Sequence, residues 1–219
     1  MYVKNIMRKD PVTIAPEASF YEARDLIHEK GVRHLPVIDK NKRIAGLITD
    51  RDIREAGPSN ATMFSVQELH YLLGKLKVSA FMTPGDKLIT VTPTTMIEKA
   101  AQLMHDNKIG CLPVLDGKEL VGIITEADIL ESFVDMMGLK ESGTRITMAL
   151  KDEPGRIHGV LAVFKNHNVN LISIVAPSYM VEGKRMVVFR IRTQDYEEII
   201  KELEGLGYEV LSVVKWPSV

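Results

Sequence analysis

The chain has 219 residues, 45% of them hydrophobic and 26% charged, which excludes a disordered polypeptide and suggests one or two domains. Its net charge of −1 argues against a large electrostatic footprint for nucleic acid. One cysteine, Cys111, rules out an intrachain disulfide framework, and no apolar run approaches the roughly 20 residues that span a bilayer. No charged-then-apolar leader follows Met1. The expectation is a cytoplasmic globular protein with no membrane segment and no nucleic-acid partner.

In chain order, Val12–Ile14 reads as a short strand ended by Pro16. Phe20, Ala23, Leu26 and Ile27 recur at helical spacing, with Gly31 as a C-terminal stop. Leu35-Pro36-Val37-Ile38 is an apolar strand. The turn Asp39–Lys42 leads to a strand over Ile44–Ile48, and a helix starts at Thr49. Gly57-Pro58-Ser59-Asn60 reads as a loop. A helix follows, with the capping box Ser65-x-x-Glu68 and an apolar stripe of Val66, Leu69, Leu72, Leu73 and Leu76. That stripe marks packed structure rather than a free linker.

The same order then returns. Residues 3–56 and 78–133 align with small gaps, so that Val3, Met7, Gly46, Thr49 and Asp52 recur as Val78, Met82, Gly122, Thr125 and Asp128. The second copy has strands at Leu88–Val91, Leu112–Leu115 and Leu120–Ile124. Its helices carry Ile97, Ala100 and Met104 or begin at Thr125. One copy of about 55 residues buries little surface alone, so two copies are expected face to face about a pseudo-twofold axis.

Each copy ends in Gly-hydrophobic-Ile-Thr-x-x-Asp, at Gly46–Asp52 and Gly122–Asp128. The motif puts a Thr at a helix N-terminus and an Asp one turn later. Free N–H groups and partial positive charge there suit a phosphate, and the carboxylate can accept two ribose hydroxyls. The same four residues also form an ordinary capping box with no ligand. Two copies in register weigh toward the ribose-phosphate.

Residues 3–133 resemble a tandem pair of CBS (cystathionine-β-synthase) domains, with repeats at 3–56 and 78–137 and an inter-repeat loop and helix at 57–77. The resemblance implies a regulatory protein whose ligand is AMP, ADP, ATP or an S-adenosyl compound. It places one site at Thr13, Ile14, His34, Leu35, Pro36, Thr49 and Asp52. It places the other at Thr90, Val91, Cys111, Leu112, Pro113, Thr125 and Asp128. The copies differ in charge: Arg33-His34 and Asp50-Arg51 in the first, Gly110-Cys111 and Glu126-Ala127 in the second. Arg33 and Arg51 are therefore added to the first site, and the Arg51-bearing motif is expected to favour the more charged nucleotide.

After Gly138 the pattern changes to β-α-β-β-α-β over 145–214. Strands are expected at 145–150, 169–176, 185–192 and 208–214. The helices carry Ile157, Val160, Leu161 and Phe164, then Ile199, Ile200 and Leu203, with Asp195-x-x-Glu198 as the second cap. Lys151–Ile157 and Asn168-Val169-Asn170-Leu171 resemble the ACT domain, which implies a ferredoxin-like fold. They also imply a small ligand, often an amino acid, at Asp152, Gly155, Arg156 and Asn168. A plain strand-to-helix turn and simple pairing stand as the equal alternative. The fold class is thus α/β and α+β, a CBS pair followed by a ferredoxin-like ACT domain. The order resembles the acetoin-utilisation AcuB-type family and implies regulation near acetoin or acyl-CoA metabolism, with a homodimer and an unspecified regulated protein.

No catalytic constellation accompanies these motifs. The six histidines are scattered without metal-ligand spacing, no Gly-x-Ser-x-Gly elbow occurs, and Cys111 lies in an apolar strand. No enzyme activity, catalytic cofactor or metal is expected. An assembly module that binds no ligand is the alternative.

Overall fold

The structure, a computed structural model, describes residues 1–57, 65–178 and 180–217. The expected loop beyond Gly57 and the side chain of Val66 lie outside the described residues. The chain divides into two units, Met1–Ile129 and Leu130–Val219.

Unit 1 opens with a turn of 3-10 helix at Val3–Asn5 and the two-residue strand β1 (Arg8–Lys9). Ser19 and Glu22 close a capping box ahead of α1 (Phe20–Lys30), and Gly31 ends that helix at φ 60°. β2 (His34–Ile38) and β3 (Ile44–Thr49) form an antiparallel hairpin leading into α2 (Asp50–Ala56). α3 (Val66–Lys75) begins at the expected Ser65–Glu68 box. Leu69, Leu73 and Leu76 pack into the first-repeat core, while Leu72 stays exposed. Tyr21 of α1 stacks on His70 of α3 and shares a hydrogen bond with it.

The second repeat supplies β4 (Thr83–Pro84), α4 (Ile97–Asn107), β5 (Cys111–Asp116), β6 (Glu119–Thr125) and α5 (Glu126–Met136). The boundary between the two units falls within α5.

The opening segments of the repeats are exchanged. β1 pairs with β6, and Val3 is fully buried in the second-repeat core. β4 pairs with β3, and Val78 is fully buried in the first-repeat core. The sheets accordingly run β1-β6-β5 and β2-β3-β4. Backbone bonds fix the exchange: Val3 N–H donates to Thr95 O, and Val78 N–H to Ala18 O.

The expected strands at 12–14 and 88–91 reduce to one bridge each, Ile14 to Val37 and Val91 to Val114. Ile14 N–H donates to Pro36 O, and Ile38 N–H donates to Ile14 O. The prolines at 36 and 113 have no N–H to extend either ladder.

Unit 2 contains β7 (Gly143–Lys151), α6 (Arg156–Asn166), β8 (Leu171–Val175), β9 (Met180–Val181), β10 (Lys184–Ile191), α7 (Glu197–Gly205) and β11 (Glu209–Trp216). The sheet order is β11-β7-β10-β8, antiparallel throughout, with β9 on β10. Glu182 and Gly183, both at positive φ, make the turn into β10. Ile146, Met148 and Leu150 of β7, with Val187, Phe189 and Ile191 of β10, face Val160, Phe164, Ile199 and Leu203 of the helices. Asp195 does not cap α7. Its N–H is taken by Thr193 Oγ1, and Tyr196 occupies the cap position without a side-chain bond.

Candidate ligand-binding site

The two Thr-x-x-Asp motifs are nearly superimposable in their hydrogen bonding. At the start of α2, Thr49 N–H and Thr49 Oγ1 both donate to Asp52 Oδ2 at 2.7 Å, and Asp52 N–H donates back to Thr49 Oγ1 at 3.3 Å. At the start of α5 the matching distances are 2.8, 2.6 and 3.3 Å for Thr125 and Asp128. Both motifs are therefore closed capping boxes. One oxygen of each carboxylate is committed to its cap, which leaves the other to meet a ligand or a neighbour.

A cavity of about 500 Å³ opens beside the second motif. That volume lies within the range of small-molecule sites. Its wall takes Arg8 and Lys9 from β1 and Asp10 just after it, Arg33 just before β2 and His34 at its start, and Thr125 and Glu126 from the β6–α5 junction. The cavity thus draws on both repeats. The packing of the repeats brings the start of β2 against the start of β5: a Cβ on Gly110 would lie 3.2 Å from His34 Nε2. A larger residue at 110 would fill the space next to the imidazole. Burial holds the His34 pKa below the usual histidine value, and Arg33 adds to this, while Glu126 and Asp128 oppose it.

Of the residues expected at the sites, Arg33, His34 and Thr125 line this cavity. Leu35, Ile14, Leu112 and Val91 instead belong to the hydrophobic cores of the two repeats. Cys111 is buried with Leu47 and Ile123, and burial pushes its thiol up to about 12. Thr13, Pro36, Thr49, Asp52, Thr90, Pro113 and Asp128 are not on the cavity wall. Arg51 is 80% exposed and pairs with Glu55 at 2.6 Å, one turn along α2, so its charge is directed along the helix surface. Sequence reasoning missed Arg8 and Lys9. The repeat alignment assigned them to the first copy, and the exchange of opening segments carries them to the second.

In unit 2, Asp152 is held by Arg185 through two bonds, Nε to Oδ1 at 3.1 Å and Nη2 to Oδ2 at 3.0 Å. This pair keeps the Asp152 carboxyl below its ordinary pKa. Gly155 sits at φ 83° ahead of α6, and the Arg156 guanidinium lies 4.7 Å over the Tyr208 ring with its Nε buried and unbonded. Asn168, at φ 56°, follows the other end of α6 and lines a shallow 260 Å³ depression. An 11-residue helix is about 16 Å long, so one copy of this unit does not bring Asn168 to Asp152 and Arg156.

The CBS domain profile matches residues 3–59 and 78–135, over half of the chain. The chain belongs to the CBS-domain family. Its matched regions form a tandem CBS pair. It is 31% identical over 136 residues to a CBS domain-containing protein of Dictyostelium discoideum, covering 62% of this chain and 92% of that protein. It is 32% identical over 155 residues to an inosine-5'-monophosphate dehydrogenase of Pasteurella multocida, covering 70% of this chain. The chain spans only about a quarter (26%) of that enzyme's length. Among solved structures, a putative acetoin utilization protein (AcuB) from Vibrio cholerae matches with TM-score 0.53 and 28% identity, over 64% of this chain and 94% of that one. CBSX2 in complex with AMP matches with TM-score 0.51 and 28% identity, over 62% and 98%. The CBS domain pair of protein MJ0100, in complex with 5'-methylthioadenosine and S-adenosyl-L-methionine, matches with TM-score 0.50 and 28% identity, over 61% and 95%. Among the described residues no helix is long and apolar enough to cross a membrane, and no group of three or more His, Cys, Asp or Glu is placed to hold a metal ion.

Proposed function

We propose that the CBS pair binds an adenosine ligand and acts as a regulatory module. The observation that carries this reading is the cavity beside Thr125, which sets Arg8, Lys9, Arg33 and His34 around the N-terminus of α5. A helix N-terminus and three cationic side chains, against the two carboxylates of Asp10 and Glu126 on the same wall, suit a phosphate, and the Thr-Asp caps offer carboxylates to a ribose. The complexes of related CBS pairs with AMP and with S-adenosyl-L-methionine support an adenosine compound as the ligand class. Regulation follows by linkage: a ligand held by both repeats shifts their arrangement only by its difference in affinity between two states. Isothermal titration of the full chain with AMP and with S-adenosyl-L-methionine tests the reading. Saturable binding of either supports it. No heat and no change in melting temperature with both would favour the pure assembly module.

Unit 2 is read as an ACT domain. The support is its strand order: β10 lies between β7 and β8, and β7 lies between β10 and β11, so each β-α-β crossover is split by one strand. The separation of Asn168 from Asp152 and Arg156 favours a ligand site or contact that uses two copies of the unit, and hence a homodimer. The likeness to the Vibrio cholerae protein gives a link to acetoin utilisation as the pathway to test first.

A further inference from the structure

The two capping boxes match in their own bonds and differ in what stands over them. β1 and β4 occupy the same register on their partner strands: Arg8 lies opposite Ile123, and Thr83 opposite Leu47. Lys9 and Pro84 correspond in the same way. Arg33 corresponds by sequence to Gly110. Three cations therefore meet beside Thr125, and the positions related to them by the pseudo-twofold are uncharged.

Asp128 is also covered. Arg8 Nε donates to its Oδ1 at 3.3 Å, while Oδ2 takes the two bonds from Thr125. The Asp128 side chain is 11% exposed and is not on the cavity wall; Arg8 is 63% exposed and is on it. A ribose that binds this carboxylate through Oδ1 competes with the guanidinium for that oxygen.

We infer that Arg8 makes this site selective for adenosine ligands that carry a phosphate, through an exchange of ionic partners. The inference rests on the reading of the CBS pair as an adenosine site. A ligand with a ribose and no phosphate separates Arg8 from Asp128 and gives the guanidinium nothing in return. A nucleotide gives the carboxylate the ribose hydroxyls and gives Arg8 a phosphate, a charge-assisted partner in place of the carboxylate it leaves. At the first-repeat motif, Thr83 supplies no cation, so that site discriminates little between charged and neutral 5' groups. The asymmetry runs opposite to the one expected from Arg51.

The test is calorimetry on the full chain with AMP and 5'-methylthioadenosine as probes, for wild type, Arg8→Gln and Arg8→Lys. The side chain of Arg8 is largely exposed, and its backbone pairing does not depend on its identity. Arg8→Gln should weaken AMP about ten-fold at one site and leave 5'-methylthioadenosine equal or tighter there. Arg8→Lys should keep most of the AMP preference. Equal changes for both probes, or no change for either, overturn the inference while leaving the adenosine reading intact. Absence of binding of both probes to wild type overturns the reading and the inference together.

Discussion

A Cβ on Gly46 would lie 2.6 Å from the Sδ of Met82, and equally close to the carbonyl oxygen of Thr83. Gly122 stands in the same relation to Met7 and Arg8, at 2.9 Å. The glycine that opens each Gly-hydrophobic-Ile-Thr motif thus makes room for the exchanged segment of the other repeat. Gly46→Ala should destabilise unit 1 by about 1–3 kcal/mol, read as a lower urea midpoint, because backbone on the exchanged strand must move. Gly74→Ala is the control. Its Cβ would meet only Tyr21 at 3.9 Å, within α3, so it should be neutral or stabilising by up to about 1 kcal/mol. Equal losses from the two substitutions would count against the steric account.

The capping boxes predict a stability role separable from any ligand. Thr49→Ala and Thr125→Ala each remove the acceptor for a backbone N–H and a donor to the Asp carboxylate. Each should cost about 1 kcal/mol in ligand-free protein, and Thr→Ser should restore most of it. Thermal melts of the four variants without nucleotide decide this. Wild-type stability in both alanine variants would mean that the motif is held only by ligand.

The repeats, the starts of α1, α2 and α3 and the β-α-β-β-α-β order were legible because each rests on local signals: apolar periodicity, capping boxes, glycines at positive φ; the Asp195-x-x-Glu198 pattern misled because Thr193 takes the Asp195 N–H. Leu35 and Leu112 show the limit. A hydrophobic-Pro segment beside a capping motif reads equally as a ligand contact or as core, and both leucines are fully buried core residues. The exchange was not legible either. Val3 and Val78 announce that they are apolar, but nothing local says which repeat buries them. The charged side of the cavity, Arg8 and Lys9, follows from that non-local pairing. The direction of Arg51 was equally hidden, because Glu55 one turn away competes for it.

Cys111 should be inert in the folded protein. Its thiol is 4% exposed among Leu47 and Ile123, and burial raises its pKa to about 12. At pH 8 almost none is thiolate, and the thiolate is the reacting species. An aromatic disulfide reagent should report about one thiol per chain in urea and essentially none in buffer over the same interval. Rapid labelling in buffer would show that the packing between the two hairpins opens readily.

His34 should make stability and binding depend on pH in opposite senses. Burial, with Arg33, lowers its pKa below the unfolded value of about 6.5. Between the native pKa and about 6.5 the unfolded chain binds a proton that the native chain does not. Stability from this residue is therefore present above about pH 6.5, falls as pH drops through that window, and levels off below the native pKa. His34→Gln should flatten this part of the stability profile, measured by urea titration from pH 5 to 8. A phosphate in the cavity would add to the raising effect of Glu126 and Asp128 on the ring and lift its pKa. AMP binding near pH 6 should then take up a fraction of a proton, seen as a dependence of the binding heat on the buffer's ionisation enthalpy. His34→Gln should remove that dependence. An unchanged slope in the variant would place the proton on another group and leave His34 as packing alone.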